Sequence, residues 1–264
     1  MSDQYESALT YTSYLQVDEL LKLQKPLSDG PEHDELLFII IHQTYELWFK
    51  QLLHEFAAAG KSMEAGDTHN ALALLGRIRT IMKVCVAQVD ILETMTPLQF
   101  NAFRDYLSSS SGFQSAQFRK VEAILGRRDE RMAGHLPPEM QAEIKEITDR
   151  NSIWDSFIIY LARRGYFIPD EILDRSPSIA YESNSDVQDS LLDMHRTDPE
   201  AAMVSERLID IDEGIQEWRY RHVKMVERTI GAKMGTGGSS GVQYLASTLF
   251  NPVFKDLWEI RSRF

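Results

Sequence analysis

Apolar residues recur along this chain at steps of three and four, the spacing that lines one face of an α-helix. The densest stretch is Glu35–Phe56, ELLFIIIHQTYELWFKQLLHEF, which opens with an unbroken apolar run from Leu36 to Ile41. It predicts a helix that starts at Glu32 or Asp34, runs to about Ala59 and is buried on all sides, with Gly60 and Gly66 bracketing its end. Asp67 or Thr68 can cap a second, amphipathic helix through Leu72, Leu75, Ile78, Met82, Cys85, Val89 and Leu92, ending near Glu93.

The same reading extends in both directions. Tyr11–Gln24 reads as one short helix, followed by breakers at Pro26, Asp29, Gly30 and Pro31. Thr96–Pro97 is a cap followed by proline at the first helical position, opening a helix through Phe100, Phe103 and Leu107. Ser108–Gly112 stops it, and Phe113–Leu125, Pro138–Thr148 and Asn151–Arg164 follow as helices. Residues 169–199 are polar and turn-rich, an excursion with one short helix at Val187–His195. Glu200–Ile230 is the second long helix, and the glycine-rich Gly231–Gly241 ends it. Val242–Phe250 and Pro252–Arg261 close the chain as two more helices. Sustained apolar-polar alternation and hairpin turn signals are both missing, so the expected fold is all-α, one helical domain over residues 1–264.

Composition narrows the class. The chain has 264 residues, 43% of them hydrophobic, enough for a large core. A formal net charge of −12 disfavours nucleic acid and anionic membrane as partners. The one cysteine, Cys85, permits neither an intrachain disulfide nor a CxxC metal site, which suits a reducing cytoplasm. The N-terminal MSDQYES lacks the basic and apolar regions of a signal peptide. No apolar run approaches the roughly 20 residues that span a bilayer.

Four features carry candidate chemistry, each beside a plainer alternative. Phe38 and His42, four apart, share a helix face and could present an aromatic wall and an imidazole to a flat ligand with an N–H; they could equally be a core pair. Phe100 and Arg104 share the next such face, where arginine either grips a carboxylate or reaches to solvent. His222 lies in a stripe with Leu208, Ile211, Ile215, Trp218 and Met225, as a core histidine or as a single axial ligand for haem iron. Gly235–Gly241 is too poor in lysine for a P-loop; it is either a flexible connection or a segment whose backbone approaches a ligand.

In order, these stretches resemble the tryptophan 2,3-dioxygenase family. HDELLFIIIHQTYELWFKQLLHE from His33, LETMTPLQFNAFRDYLSSSSGFQSAQFR from Leu92, WRYRHVKMVERTIGAKMGTGGSSGVQYL from Trp218 and the N-terminal LTYTSYLQVDELL carry the resemblance, which covers most of the chain. It implies a cytoplasmic homotetramer of helical subunits holding haem b, active as ferrous iron. It also implies opening of the indole ring of L-tryptophan with O2 to give N-formyl-L-kynurenine. By motif, His222 resembles the axial haem ligand and His42 the catalytic histidine that hydrogen-bonds the indole N–H. Phe38 resembles the wall against the indole, and Arg104 the partner of the substrate carboxylate. Thr236 resembles the loop contact to the substrate's ammonium and carboxylate. Tyr11, in a segment 1–25 expected to pack on a neighbouring subunit, resembles a tyrosine that reaches that subunit's site. Ser111 and Gly112 fall where the family lines its haem. Some members carry tyrosine at the position of Phe100; phenylalanine keeps the packing contact to substrate and loses a hydroxyl.

Overall fold

The computed structural model describes residues 9–129, 133–235 and 242–264, and among them all regular structure is helical. Helix α1 spans Tyr11–Leu15, α2 Val17–Leu20, α3 His33–Ala65, α4 Thr68–Leu92, α5 Pro97–Arg104, α6 Ala116–Ile124 and α7 Pro138–Thr148. After these come α8 Ile153–Arg163, α9 Asp170–Leu173, α10 Ser185–Thr197, α11 Pro199–Ile230, α12 Val242–Ala246 and α13 Lys255–Glu259.

Helix α4 lies between the two longest helices, packing along α3 on one side and α11 on the other. Helices α6 and α8 cover α3, α5 crosses both α3 and α11, and α10 and α13 close over α11. The principal core is built from Leu52, Phe56 and Met63 of α3, Leu75, Ile78 and Cys85 of α4, Phe157 and Leu161 of α8, and Leu208 and Ile211 of α11. A smaller cluster, Ile41, Leu92, Met95 and Phe103, sits at one end with Phe38, Phe100 and Met225 against it.

Side-chain caps start α4 and α5 where the sequence places them, and α8 has one as well. Asp67 accepts the Asn70 N–H, Thr96 and Gln99 form a reciprocal capping box, and so do Ser152 and Asp155. Several boundaries differ, each for a local reason. Helix α3 runs through Gly60 to Ala65, and Gly66, at φ 78°, is the stop. Gly60 stays helical because α8 crosses close to it; a Cβ there would lie 3.1 Å from Ser156 Oγ. The segment from Tyr11 is broken at Gln16, whose φ of 52° is left-handed, and neither α1 nor α2 buries a residue. Short helices without a packed face are marginal.

Ser115 caps α6, so residues 112–114 form a separate 3-10 turn before it. Residues 169–199 are less of an excursion than their polarity implies. They hold α9 and α10, and Val187, Leu191 and Met194 of α10 are fully buried. Helix α12 ends at Ala246, short of Phe250. Helix α13 starts at Lys255 because the N–H groups of Val253 and Phe254 go to the buried Asp212 carboxylate at 2.9 and 3.0 Å.

Helix α3 is not buried all round. Leu36, Ile40 and Leu47 keep 44, 40 and 52% of their surface exposed, an apolar stripe on the side away from α4 that this chain alone leaves open. Among the described residues no helix is long and apolar enough to cross a membrane.

Candidate functional site

The small cluster at the junction of α3, α5 and α11 holds Phe38 and Phe100, with His42 packed on Phe38. One turn apart on α3, the rings of Phe38 and His42 have centroids 4.1 Å apart. Phe38 also meets Phe100 at 5.9 Å and Phe103 at 5.5 Å, both from α5. These rings form a continuous aromatic wall.

His42 Nδ1 lies 2.7 Å from the Phe38 carbonyl oxygen. A carbonyl only accepts, so Nδ1 is the donor, and in a neutral ring Nε2 is left as an acceptor. Burial holds the ring neutral: it pushes the His42 pKa below the ordinary histidine range, against the opposing pull of the Phe38 carbonyl and the Glu46 charge.

On α11, His222 stacks on Trp218 with centroids 5.5 Å apart and planes within 4°. Trp218 in turn packs on Phe118 at 5.0 Å, Tyr45 at 6.1 Å and Phe49 at 6.2 Å. Burial, with a smaller contribution from nearby His42, lowers the His222 pKa to about 4. Two imidazoles on different long helices are thus both uncharged near neutral pH and close enough for a proton on one to be felt by the other.

Arg104, at the end of α5, donates from Nη2 to the carbonyl of Met234 at 2.7 Å. Among the described residues no carboxylate pairs with it, so the guanidinium faces the start of the glycine-rich loop as an uncompensated charge. Thr236 lies outside the described residues. Tyr11 on α1 is 77% exposed and makes no described contact with the wall. Ser111 caps the 3-10 turn that contains Gly112, accepting the Phe113 N–H at 3.3 Å. No described contact joins either to His42 or His222. Among the described residues no group of three or more His, Cys, Asp or Glu could hold a bare metal ion.

Trp218 and Phe103 were assigned no role from sequence. Trp218 sits four before His222 in the same stripe, so the spacing that marks Phe38 with His42 marks this pair too. The closure of Phe103 behind Phe38 required the crossing of α5 over α3, which no local pattern contains.

Fold and site define an all-α protein with an aromatic wall on α3 and α5, two buried neutral histidines on its longest helices and an arginine at the end of α5. The family model described as tryptophan 2,3-dioxygenase matches residues 1–135 and 195–264, leaving out the stretch that holds α7, α8, α9 and most of α10. A tryptophan 2,3-dioxygenase of Anaeromyxobacter sp. strain K is 55% identical over 260 residues, covering 97% of each chain. That of Herpetosiphon aurantiacus is 55% identical over 256 residues, 97% of this chain and 98% of the relative. That of Caulobacter vibrioides is 45% identical over 261 residues, 97% and 98%. The chain belongs to the tryptophan 2,3-dioxygenase family.

Proposed function

We propose that this chain is a haem-dependent dioxygenase that inserts O2 into the C2–C3 bond of the L-tryptophan indole ring, giving N-formyl-L-kynurenine. Beside family membership, the observation that supports the reading is the pair of buried imidazoles held neutral on the two long helices, His42 against Phe38 on α3 and His222 against Trp218 on α11, near enough for His42 to lower the His222 pKa. The donor set fits haem b. His222 offers one uncharged nitrogen ligand in an apolar wall, and a porphyrin brings the other four donors itself. Bound ferrous haem would supply the oxygen-activating chemistry.

The chain's own residues bind and orient. Nε2 of His42 accepts the indole N–H, a role that also rejects analogues lacking that proton. Phe38 and Phe100 clasp the flat ring, and Ser111 and Gly112 would help to hold the haem. Arg104 holds the carboxylate in a two-point fork. Thr236 contacts the ammonium and carboxylate, and the loop around it keeps water out. An indole N–H is a very weak acid, so orientation suits His42 better than full proton removal.

The chain assembles as a cytoplasmic homotetramer. Support comes from the unburied arm 9–25, with Tyr11, Tyr14, Leu20, Leu21 and Leu23 exposed, and from the open Leu36–Ile40–Leu47 stripe. In the tetramer Tyr11 reaches a neighbouring copy's site. The test is reduction of haem-loaded protein without air, then addition of L-tryptophan and O2. N-formyl-L-kynurenine is the expected product, and its absence from fully loaded protein would overturn the reading.

A further inference from the structure

We propose that Glu35 is a positioning residue for the tryptophan pocket: with Ser28 it forms a clasp that sets the register of the N-terminal arm against the start of α3. The inference rests on the reading of the Phe38–His42 wall as the substrate site. Glu35 is 2% exposed, a carboxylate buried in the first turn of α3. It lies three residues before Phe38 and seven before His42, on the same helix face.

Its oxygens do not cap its own helix. They reach back and accept the Leu27 N–H at 2.7 Å, the Ser28 N–H at 3.0 Å and the Ser28 hydroxyl. The Ser28 oxygen then accepts the N–H of Glu32, the residue that precedes α3, at 2.8 Å, while no side chain caps the helix itself. From the same turn, Asp29 accepts the Tyr106 hydroxyl at 3.4 Å, a link to the segment just past Arg104. Further along, Gln43, next to His42, accepts from Gln24 at 2.6 Å and donates to the Leu23 carbonyl at 3.2 Å.

The arm therefore touches α3 through polar ties at two levels, while α1 and α2 bury nothing on this chain. Apolar packing of α1 and α2 does not hold the arm on its own subunit, so within the subunit the ties at Glu35 and Gln43 do, and Glu35 is the buried one. A negative charge in the first turn also suits the helix dipole. Releasing the clasp frees the arm and loosens the turn of α3 that carries Phe38.

Glu35→Gln, Ser28→Ala and the double variant, all as haem-loaded full chains, test this. Two readouts are followed: tryptic cleavage after the exposed Lys22, and kcat and KM for L-tryptophan. Glu35→Gln is expected to speed cleavage about tenfold and raise KM about tenfold, the size expected for losing hydrogen bonds to a charged group. Ser28→Ala, which leaves both backbone bonds in place and so keeps the fold, is expected to shift both in the same direction by less. The double variant should be no worse than Glu35→Gln, because both changes break one unit. Unchanged cleavage, an additive double variant, or a fall in kcat with KM unmoved would overturn the clasp. If the wild-type protein does not turn over tryptophan, the functional reading falls, and the cleavage series still decides the clasp.

Discussion

His42 and Phe38 are tied ring to backbone: the imidazole Nδ1 donates to the Phe38 carbonyl at 2.7 Å, one turn back along α3. The bond selects the tautomer and fixes the ring's rotation, so Nε2 is presented as an acceptor in a set direction. Protonation would turn Nε2 into a donor and end that role. Because burial lowers the His42 pKa, activity falls only as pH drops through a value below the ordinary histidine range. A pH profile of kcat/KM should be flat from about pH 8 to about pH 6.5. A limb centred in that interval would contradict a buried neutral His42.

His42→Ser removes the acceptor and leaves the aromatic wall. A drop in kcat/KM of about tenfold to a hundredfold is expected, the cost of one lost hydrogen bond in a closed site. Haem content and fold should be unchanged. Complete loss of turnover with haem and substrate binding intact would instead make His42 an obligate base.

Arg104→Ala should raise the KM for tryptophan severely, corresponding to about 2–5 kcal/mol for leaving a buried charge unpaired. Arg104→Lys should recover little, since an ammonium cannot reproduce the planar fork. Steady-state kinetics decide the matter, and an unmoved KM would exclude the carboxylate role.

His222→Ala should abolish haem retention, read from the Soret absorbance of purified protein after loading. Added imidazole should restore part of the band by filling the vacated volume. A full haem complement in the variant without imidazole would rule out His222 as the axial ligand.

Asp212 gives a prediction about stability alone. Its buried carboxylate accepts the Val253 and Phe254 N–H groups and the Trp258 indole N–H at 2.9, 3.0 and 2.9 Å, fastening the C-terminal segment to α11. Asp212→Ala strands all three donors and should cost about 3 kcal/mol or more in urea unfolding. Asp212→Asn, which keeps one acceptor oxygen, should cost less.

The helices were legible wherever a cap and an apolar stripe agreed. Thr96–Pro97 starts α5 as its spelling predicts, Asp67 caps α4, and the stripe from Leu72 to Leu92 is α4. Boundaries failed where the deciding contact came from elsewhere in the chain. Gly60 looks like a stop until α8 is seen to need its missing side chain, and Asp212 delays α13 from a helix away. The site divided the same way. The spacing of Phe38 with His42 and of Phe100 with Arg104 was readable, whereas their convergence with His222 came from the resemblance and from the packing of α5 across α3 and α11. The Leu36–Ile40–Leu47 stripe made α3 read as buried all round, because sequence cannot tell a surface closed by its own chain from one left for another.

The bond from Arg104 to the Met234 carbonyl means that the guanidinium, still reached by water, already has a protein acceptor. A carboxylate arriving there exchanges with a peptide oxygen, so the affinity it gains is a difference between two partners. The exchange would leave the Met234 carbonyl in need of another donor. Binding measured at Arg104 would then report an exchange of acceptors at one guanidinium rather than the filling of an idle one.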